Sequence, residues 1–382
     1  MKVYLDNAAT TAMDKQVIAA MFEVMDKHFG NPSSIHSYGR EVRTLIENAR
    51  KSIANLLHVS PAEIFFTSGA TEANNTAISC SVRDLGVKHI ITSPIEHHAV
   101  LHTAEELAKL GLAQLHLVRV NEQGVVDLNH LEALLQACSK ANDGKTLVSL
   151  MHANNELGTL LPIEKVADLC MQEGALFHSD TVQTMAHYPI DLSRIPVHFV
   201  TCSAHKFHGP KGIGFLYIRA GVKIKPFVYG GAQERNMRGG TENVYGIVGI
   251  AKAFELANQD MEQEAAHISG LRSYMRERLI EQIPGVLFNG DSEHGLYTVL
   301  NVSFPPSPIS EMLLFRLDIE GIACSGGSAC SSGSDVGSHV LRAIGADPKR
   351  ASVRFSFSKY NTKAEVDVCM EKLTEMFAVP AN

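Results

Sequence analysis

The sequence predicts an α/β domain with a mostly parallel, seven-stranded sheet, joined to a smaller α+β domain. Three observations predict it. Between about residues 60 and 220, short apolar runs alternate with amphipathic helical stretches, the pattern of parallel strands linked by crossover helices. After Gly249 the texture changes to a long charged helical stretch, followed by two strand-like runs and two shorter helices. The 382 residues, 45% of them hydrophobic, supply a large core and exceed one average domain.

The seven apolar runs cover residues 64–67, 89–92, 115–118, 147–150, 175–178, 199–202 and 214–217. Helical patterns separate most of them, for example at residues 99–110 and 164–173. Beyond Gly249, the charged helical stretch spans about residues 250–282. Strand-like runs follow at 297–304 and 352–357, and helical patterns at 310–320 and 363–377. No internal repeat is present. The expected division is a large unit of residues 15–255 and a small unit of residues 1–14 and 256–382. Within the small unit, the Gly/Ser-rich stretch 325–334 is too flexible in composition to be a core element.

Lys+Arg 34 against Asp+Glu 41 gives a net charge of −7, so the chain has no global attraction for nucleic acid or an anionic membrane. The first residues carry no apolar signal core or Arg-rich amphipathic stretch, and no apolar run approaches the length of a membrane span. The expected protein is soluble and cytoplasmic. Cysteines 80, 138, 170, 202, 324, 330 and 369 are scattered without export signals, which argues against a disulfide framework. Most of them read as buried small hydrophobes.

Several residues stand where an open α/β sheet places its ligands. Lys206 follows the run 199–202 in Ser203-Ala204-His205-Lys206 and can point into a crevice, although alone it also reads as a surface lysine. The glycines after it, Gly209, Gly212 and Gly214, form G-x-x-G-x-G rather than the dinucleotide order, which rejects a nicotinamide site. Asp180, with Gln183 nearby, follows the run 175–178. It reads either as a helix cap or as the acid that keeps a pyridine nitrogen protonated in a pyridoxal-phosphate (PLP) enzyme. Thr67-Ser68-Gly69-Ala70-Thr71-Glu72 joins an apolar run to a helix, where hydroxyls and N–H groups bind phosphate; a capping arrangement with Glu72 is compatible with this. His97 could stack on an aromatic cofactor. A rival reading makes His98 and His102, four apart on one helix face, metal ligands. No H-E-x-x-H accompanies them, and no metal site is assigned.

In this order (phosphate loop, ring histidine, ring acid, lysine) the chain resembles the cysteine desulfurases, the NifS/IscS-type members of the class V aminotransferase-like PLP enzymes. The resemblance covers nearly the whole chain. It rests on Tyr4-Leu5-Asp6-Asn7-Ala8-Ala9-Thr10-Thr11, Phe29-Gly30-Asn31-Pro32-Ser33-Ser34, the Thr67 loop and Glu96-His97. It continues through Asn154-Asn155-Glu156-Leu157-Gly158, Asp180-Thr181-Val182-Gln183 and Ser203-Ala204-His205-Lys206. Arg238-Gly239-Gly240-Thr241-Glu242-Asn243, Gly327-Ser328-Ala329-Cys330 and Val353-Arg354-Phe355-Ser356 complete it.

The resemblance implies the PLP-dependent transferase fold type I and a role for each matching residue. Lys206 would hold PLP covalently, Asp180 would pair with its ring nitrogen, Gln183 would bond the ring hydroxyl and His97 would stack on the ring. Ala70, Thr71, Ser203 and His205 would hold the phosphate, and Thr241 would reach the phosphate of the neighbouring subunit in a homodimer. Asn155, also beside the cofactor, and Arg354 would bind the substrate carboxylate; the rival reading of Arg354 is a surface ion pair.

The implied reaction takes sulfur from L-cysteine onto Cys330 as a persulfide and leaves L-alanine. Lys206 would remove the α-proton, and His97 is a candidate base or acid. A thiol in a Gly/Ser stretch can travel to the cofactor and then to an acceptor. Cys324, six residues earlier, reads as a buried strand residue, with sulfur relay or a disulfide to Cys330 as alternatives. The acceptor would be an iron–sulfur scaffold or a tRNA-thiolation protein. The chain ends at Asn382, shortly after the last predicted helix, where scaffold-feeding members often carry a longer tail, so the acceptor stays open. Selenocysteine lyase, or another PLP enzyme of the same fold, is the alternative activity; a silent sulfur carrier is disfavoured by Lys206, Asp180 and His97 together.

Overall fold

The computed structural model describes residues 1–326 and 337–378. The chain opens with β1 (Val3–Tyr4) and two helices, α1 (Lys15–Lys27) and α2 (Ser37–Leu56), before entering the large sheet. Neither helix was among the expected elements, although Val42, Ile46, Ala49 and Ile53 form a buried helical stripe along α2.

The alternation that follows is β2 (Ile64–Thr67), α3 (Ala70–Leu85), β3 (Val87–Thr92), α4 (His98–Lys109), β4 (Gln114–Leu117), α5 (Leu128–Ala141), β5 (Lys145–Ser149), α6 (Ile163–Gln172), β6 (Leu176–Asp180), β7 (Phe199–Ser203) and β8 (Gly214–Ile218). The seven strands form one sheet in the order β2-β8-β7-β6-β5-β3-β4. The pairings among β4, β3, β5, β6 and β7 are parallel, and β8 runs antiparallel to both its neighbours. All seven expected strands are present, shifted at their ends by no more than two residues. Their apolar runs are continuous because helices cover both faces: every residue of β7 and of β8 is buried.

Beyond the sheet, the expected helix of residues 250–282 is two helices, Val244–Gln259 and Met261–Gln282, broken at Asp260 (φ −107°, ψ 10°). The break falls where the chain changes core. Ile247, Ile250 and Phe254 pack with the large sheet, whereas Ile268, Leu271, Met275 and Leu279 pack into a second core. That second core lies on a three-stranded antiparallel sheet, in the order β12-β10-β9, built from β9 (Leu287–Asn289), β10 (Val299–Ser303) and β12 (Ser352–Ser356). β11 (Ile322–Ala323) pairs in parallel with β1, and Val3 and Leu5 are buried in the same core. The N-terminal segment therefore runs between the two cores, pairing with β12 through an Asp6–Ser356 bridge and bonding through Thr11 to His205, just beyond β7. Among the described residues, no helix is long and apolar enough to cross a membrane.

Candidate active site

A cavity of ≈ 490 Å³ opens where β6 and β7 end and α3 begins. Ala70, Thr71, His97, Asn155, Asp180, Gln183, Ser203, His205, Lys206 and Arg354 all line it. Of the expected cofactor and substrate residues, only Thr241 lies elsewhere. It borders an adjacent cavity of ≈ 220 Å³ that shares Ser68 and Gly212 with the first.

Asp180 is the last residue of β6 and is buried. One carboxylate oxygen accepts from the Val182 amide (3.0 Å) and the other from Nδ2 of Asn74 (2.7 Å). Asn74 in turn accepts from the Thr201 hydroxyl (2.8 Å) on the neighbouring strand. The helix-cap reading is thus met only locally, by the Val182 amide, while the buried Asn74–Thr201 pair holds the carboxylate from behind. The sequence reading missed Asn74. Its signal was an amide within the buried face of α3, among Ala73, Thr76, Ala77, Ile78, Cys80 and Ser81.

α3 begins after Gly69, whose φ of 152° favours glycine and which offers no side-chain cap. Glu72 reaches back past the N-cap to the Ser68 amide (3.0 Å) and is paired with Arg238 (3.0 Å), so the expected capping arrangement is not formed. Burial pushes the Glu72 carboxyl up, but the hydrogen bonds from Arg238 and Ser68 outweigh it and hold the group below its ordinary range. Glu72 is therefore an anion turned onto its own partners, and the helix start remains open to another anion. Ser203 and His205 stand beside it, with Lys211, a cation that the sequence reading did not single out. Backbone closeness makes this cradle: a Cβ on Gly214 would lie 2.2 Å from the Cys202 carbonyl oxygen and 2.9 Å from Cα of Gly69.

Lys206 lies on a 3₁₀ turn (Ala204–Lys206) directly after β7. Its Nζ donates to the carbonyls of Ala8 (2.6 Å) and Ala9 (2.8 Å), and Nε2 of Gln183 donates to Ala8 as well (3.1 Å). Thr11 bonds the His205 carbonyl through both its amide (2.9 Å) and its hydroxyl (3.0 Å). The Ala8–Thr11 segment is thereby one wall of the cavity.

His97 caps α4, its Nδ1 accepting from the Ala99 amide (3.1 Å). Burial lowers its pKa, against the pull of Asp180 and with the help of Lys206. A neutral imidazole that accepts at Nδ1 carries its proton on Nε2. Glu96, beside it, is buried. Its Oε1 accepts from the Met151 amide (3.0 Å) and the Ser93 hydroxyl (2.9 Å), and its Oε2 has no hydrogen-bond partner among the described residues. Burial pushes its carboxyl up to about 8, so it is largely protonated at neutral pH.

Arg354, on β12, is 1% exposed, which excludes the surface ion pair. Its Nη1 donates to the Asn155 carbonyl (2.9 Å) and its Nη2 to Asp6 (2.9 Å). The guanidinium therefore faces the cavity next to Asn155, held by the N-terminal segment.

Cys330 lies outside the described residues. Cys324 directly follows β11 and packs against the second core, where burial pushes its thiol up to about 12. Cys324 is thus half-buried and just outside the strand, whereas every other described cysteine is buried.

Residues 3–369 match the family model "Aminotransferase class-V". "Cysteine desulfurase IscS" of Dictyoglomus turgidum (strain DSM 6724 / Z-1310) is 44% identical over 376 residues, covering 97% of this chain and 93% of the relative. The solved "NIFS-LIKE PROTEIN" superposes with a TM-score of 0.91 at 40% identity, over 99% of this chain and 100% of that one. The structure "SspA in complex with cysteine" does so with a TM-score of 0.79 at 32% identity, over 95% and 100%.

Proposed function

The chain belongs to the class V aminotransferase family and, within it, to the PLP-dependent cysteine desulfurases, and from that premise we propose how its own residues divide the work. The observation that carries the reading is the convergence of Lys206, Asp180, His97 and Arg354 on one cavity. The cavity's donor set fits PLP: an amine, a buried carboxylate held by two donors, and an open helix start flanked by Ser203 and His205.

Lys206 would hold the cofactor covalently, and Asp180 would pair with its ring nitrogen. Gln183 would meet the ring hydroxyl, with His97 and Asn155 beside the ring. Ala70, Thr71, Ser203 and His205 would take the phosphate. PLP supplies an electron sink for the pair left on the substrate Cα when its proton departs. Arg354 and Asn155 hold the substrate carboxylate. Nζ of Lys206 takes the Cα proton and returns it to Cα once Cβ has been protonated. With Nδ1 engaged by the Ala99 amide, neutral His97 offers its Nε2–H as a hydrogen-bond donor rather than acting as a base. The Cys330 thiolate attacks the substrate sulfur: the Cβ–S bond breaks, an S–S bond forms, and the proton given up by Cys330 is balanced by one gained at Cβ, leaving L-alanine. The raised thiols of Cys170 and Cys324 (each about 12) and of Cys80 (about 11) disfavour them as nucleophiles.

The same reading makes the protein a cytoplasmic homodimer that passes sulfur to an iron–sulfur scaffold or a tRNA-thiolation protein. Ile18, Phe22 and Met25 support the dimer, being exposed on one face of α1. Thr241, in a loop pinned by the buried Arg50–Glu234 ion pair (2.8 Å), would complete the partner's phosphate site. The two separate cores support a large unit of residues 15–255 and a small one of 1–14 and 256–382. The test is mass spectrometry of the holoenzyme after one turnover of L-cysteine. A single added sulfur on the peptide containing Cys330 is expected; sulfur on Cys324 alone would overturn the assignment.

A further inference from the structure

Outside the cavity lining, three side chains that bind metals converge near the outer edge of the large sheet. His89 is the third residue of β3, and His116 is the third residue of β4, the edge strand. Their parallel register (Ile91 opposite His116) sets both histidines on one face. Cys138 continues the buried stripe Leu131–Leu135 of α5, the helix that covers this face. One ligand atom from each of the three lies within 4.8 Å of the others. His89 and Cys138 are buried, and His116 is half-buried.

The hydrogen bonds give each histidine a defined tautomer. Nε2 of His89 meets the Asp143 carboxylate at 2.6 Å, and its Nδ1 meets Nε2 of His116 at 3.1 Å. An ionised carboxylate only accepts, so His89 carries its proton on Nε2 and offers a lone pair at Nδ1. His116 then donates from Nε2. A carboxylate on the outer nitrogen of an imidazole is the support that metal-binding histidines have, because it fixes the ring and raises its basicity. Two ligand nitrogens in a tetrahedral site stand roughly 3.3 Å apart given Zn–N bonds of about 2.0–2.1 Å, close to the spacing already present. A pair of core histidines bonded to each other accounts for the 3.1 Å contact alone. It does not account for a buried thiol on the same point together with a carboxylate behind the inner ring.

We propose that His89 Nδ1, His116 Nε2 and Cys138 Sγ form a binding site for a zinc-type divalent cation, with Asp143 orienting His89 and water in the fourth position. Imidazole and thiolate together select a borderline-soft tetrahedral ion over magnesium or calcium. Binding ionises the Cys138 thiol and releases one proton per ion, while His116 moves its proton from Nε2 to Nδ1. No redox step is involved. The ion would tie β3, β4 and α5 together at the sheet edge, and the site is independent of how the PLP cavity works.

The test uses PLP-loaded protein carrying Cys330→Ser, so that the other reactive thiol is removed. The protein is stripped with a chelator and titrated with Co²⁺, then Zn²⁺. One equivalent of Co²⁺ is expected, with tetrahedral d–d bands, a thiolate charge-transfer band and displacement by Zn²⁺. Cys138→Ser and His116→Gln should weaken binding at least ~100-fold, and Asp143→Asn by roughly 10–100-fold through the orientation of His89. PLP absorbance and circular dichroism identify any variant that fails to fold; Asp143→Asn, on a half-exposed side chain, keeps the test decisive in that case. Absence of a stoichiometric tetrahedral Co²⁺ complex, or binding that survives both Cys138→Ser and Asp143→Asn, would overturn the site.

Discussion

Nδ2 of Asn74, in the first turns of α3, donates to the Asp180 carboxylate at 2.7 Å, joining two residues 106 positions apart. The bond ties the helix that opens the anion cradle to the strand end that carries the acid of the cavity. Asp180 is buried, and its carboxyl oxygens are positioned by Asn74 and the Val182 amide. Removing one hydrogen bond to a buried charge costs about 1.5–3 kcal/mol. Asn74→Ala should therefore raise the dissociation constant of PLP about ten- to hundredfold, read by titrating apoprotein with PLP and following visible absorbance. Unchanged affinity would mean that Asn74 serves only the packing of α3.

Lys206 and Cys330 should separate cofactor attachment from sulfur transfer. Lys206→Ala should leave no cofactor fixed to the chain by borohydride reduction, and no turnover. Cys330→Ala should keep normal cofactor attachment and absorbance yet release no sulfide from L-cysteine. Cys324→Ala should retain most activity, because a thiol pushed up to about 12 supplies little thiolate at neutral pH. An inactive Cys324→Ala beside an active Cys330→Ala would reverse the roles of the two thiols.

Glu96 should leave a pH signature in stability. Its folded pKa, about 8, is raised above the ordinary carboxylate value by burial, with Asp180 adding to the effect. Between about pH 4.5 and 8 the folded state binds a proton that the unfolded state has lost. The group's contribution is thus complete below about pH 4.5, declines as pH rises and is gone above 8. Glu96→Gln removes this slope and leaves a constant offset. The stability of the variant relative to the parent should rise by at most about 1.4 kcal/mol per pH unit across that window and then level off. Parallel denaturant melts at pH 5.5, 7 and 8.5 measure it; a constant difference across them would show that Glu96 is ionised throughout.

The central strands β7 and β8 were legible because burial on both faces writes them as largely apolar runs; the edge strand β4, only partly buried, was legible from its Leu115 and Leu117 and its place in the alternation. β1 and β11 were not, since two residues carry no period. The break at Asp260 was hidden for another reason: helical periodicity continues through it, and only the change of packing partner ends the first helix. Within the cavity, the lining residues proposed to hold cofactor and substrate were legible in local motifs. The residues that hold them were not. Asn74 and Asp6 act on side chains 106 and 348 positions away. Likewise His89, His116 and Cys138 are 27 and 22 residues apart in sequence and meet only through strand register and the docking of α5.

Arg354 offers the most direct test of substrate recognition. Its guanidinium is held by the Asn155 carbonyl and Asp6, both at 2.9 Å, so its fork is fixed before a carboxylate arrives. A lysine keeps the charge but cannot hold both supports and meet a carboxylate with two parallel donors. Arg354→Lys should raise KM for L-cysteine about ten- to hundredfold, the loss of one charge-assisted hydrogen bond of about 1.5–3 kcal/mol, with PLP absorbance unchanged. Cysteamine lacks the carboxylate, so the variant and the parent should handle it alike. A KM for cysteine that does not move, together with a lowered melting temperature, would make Arg354 a strut between Asp6 and Asn155 instead of the substrate's anchor.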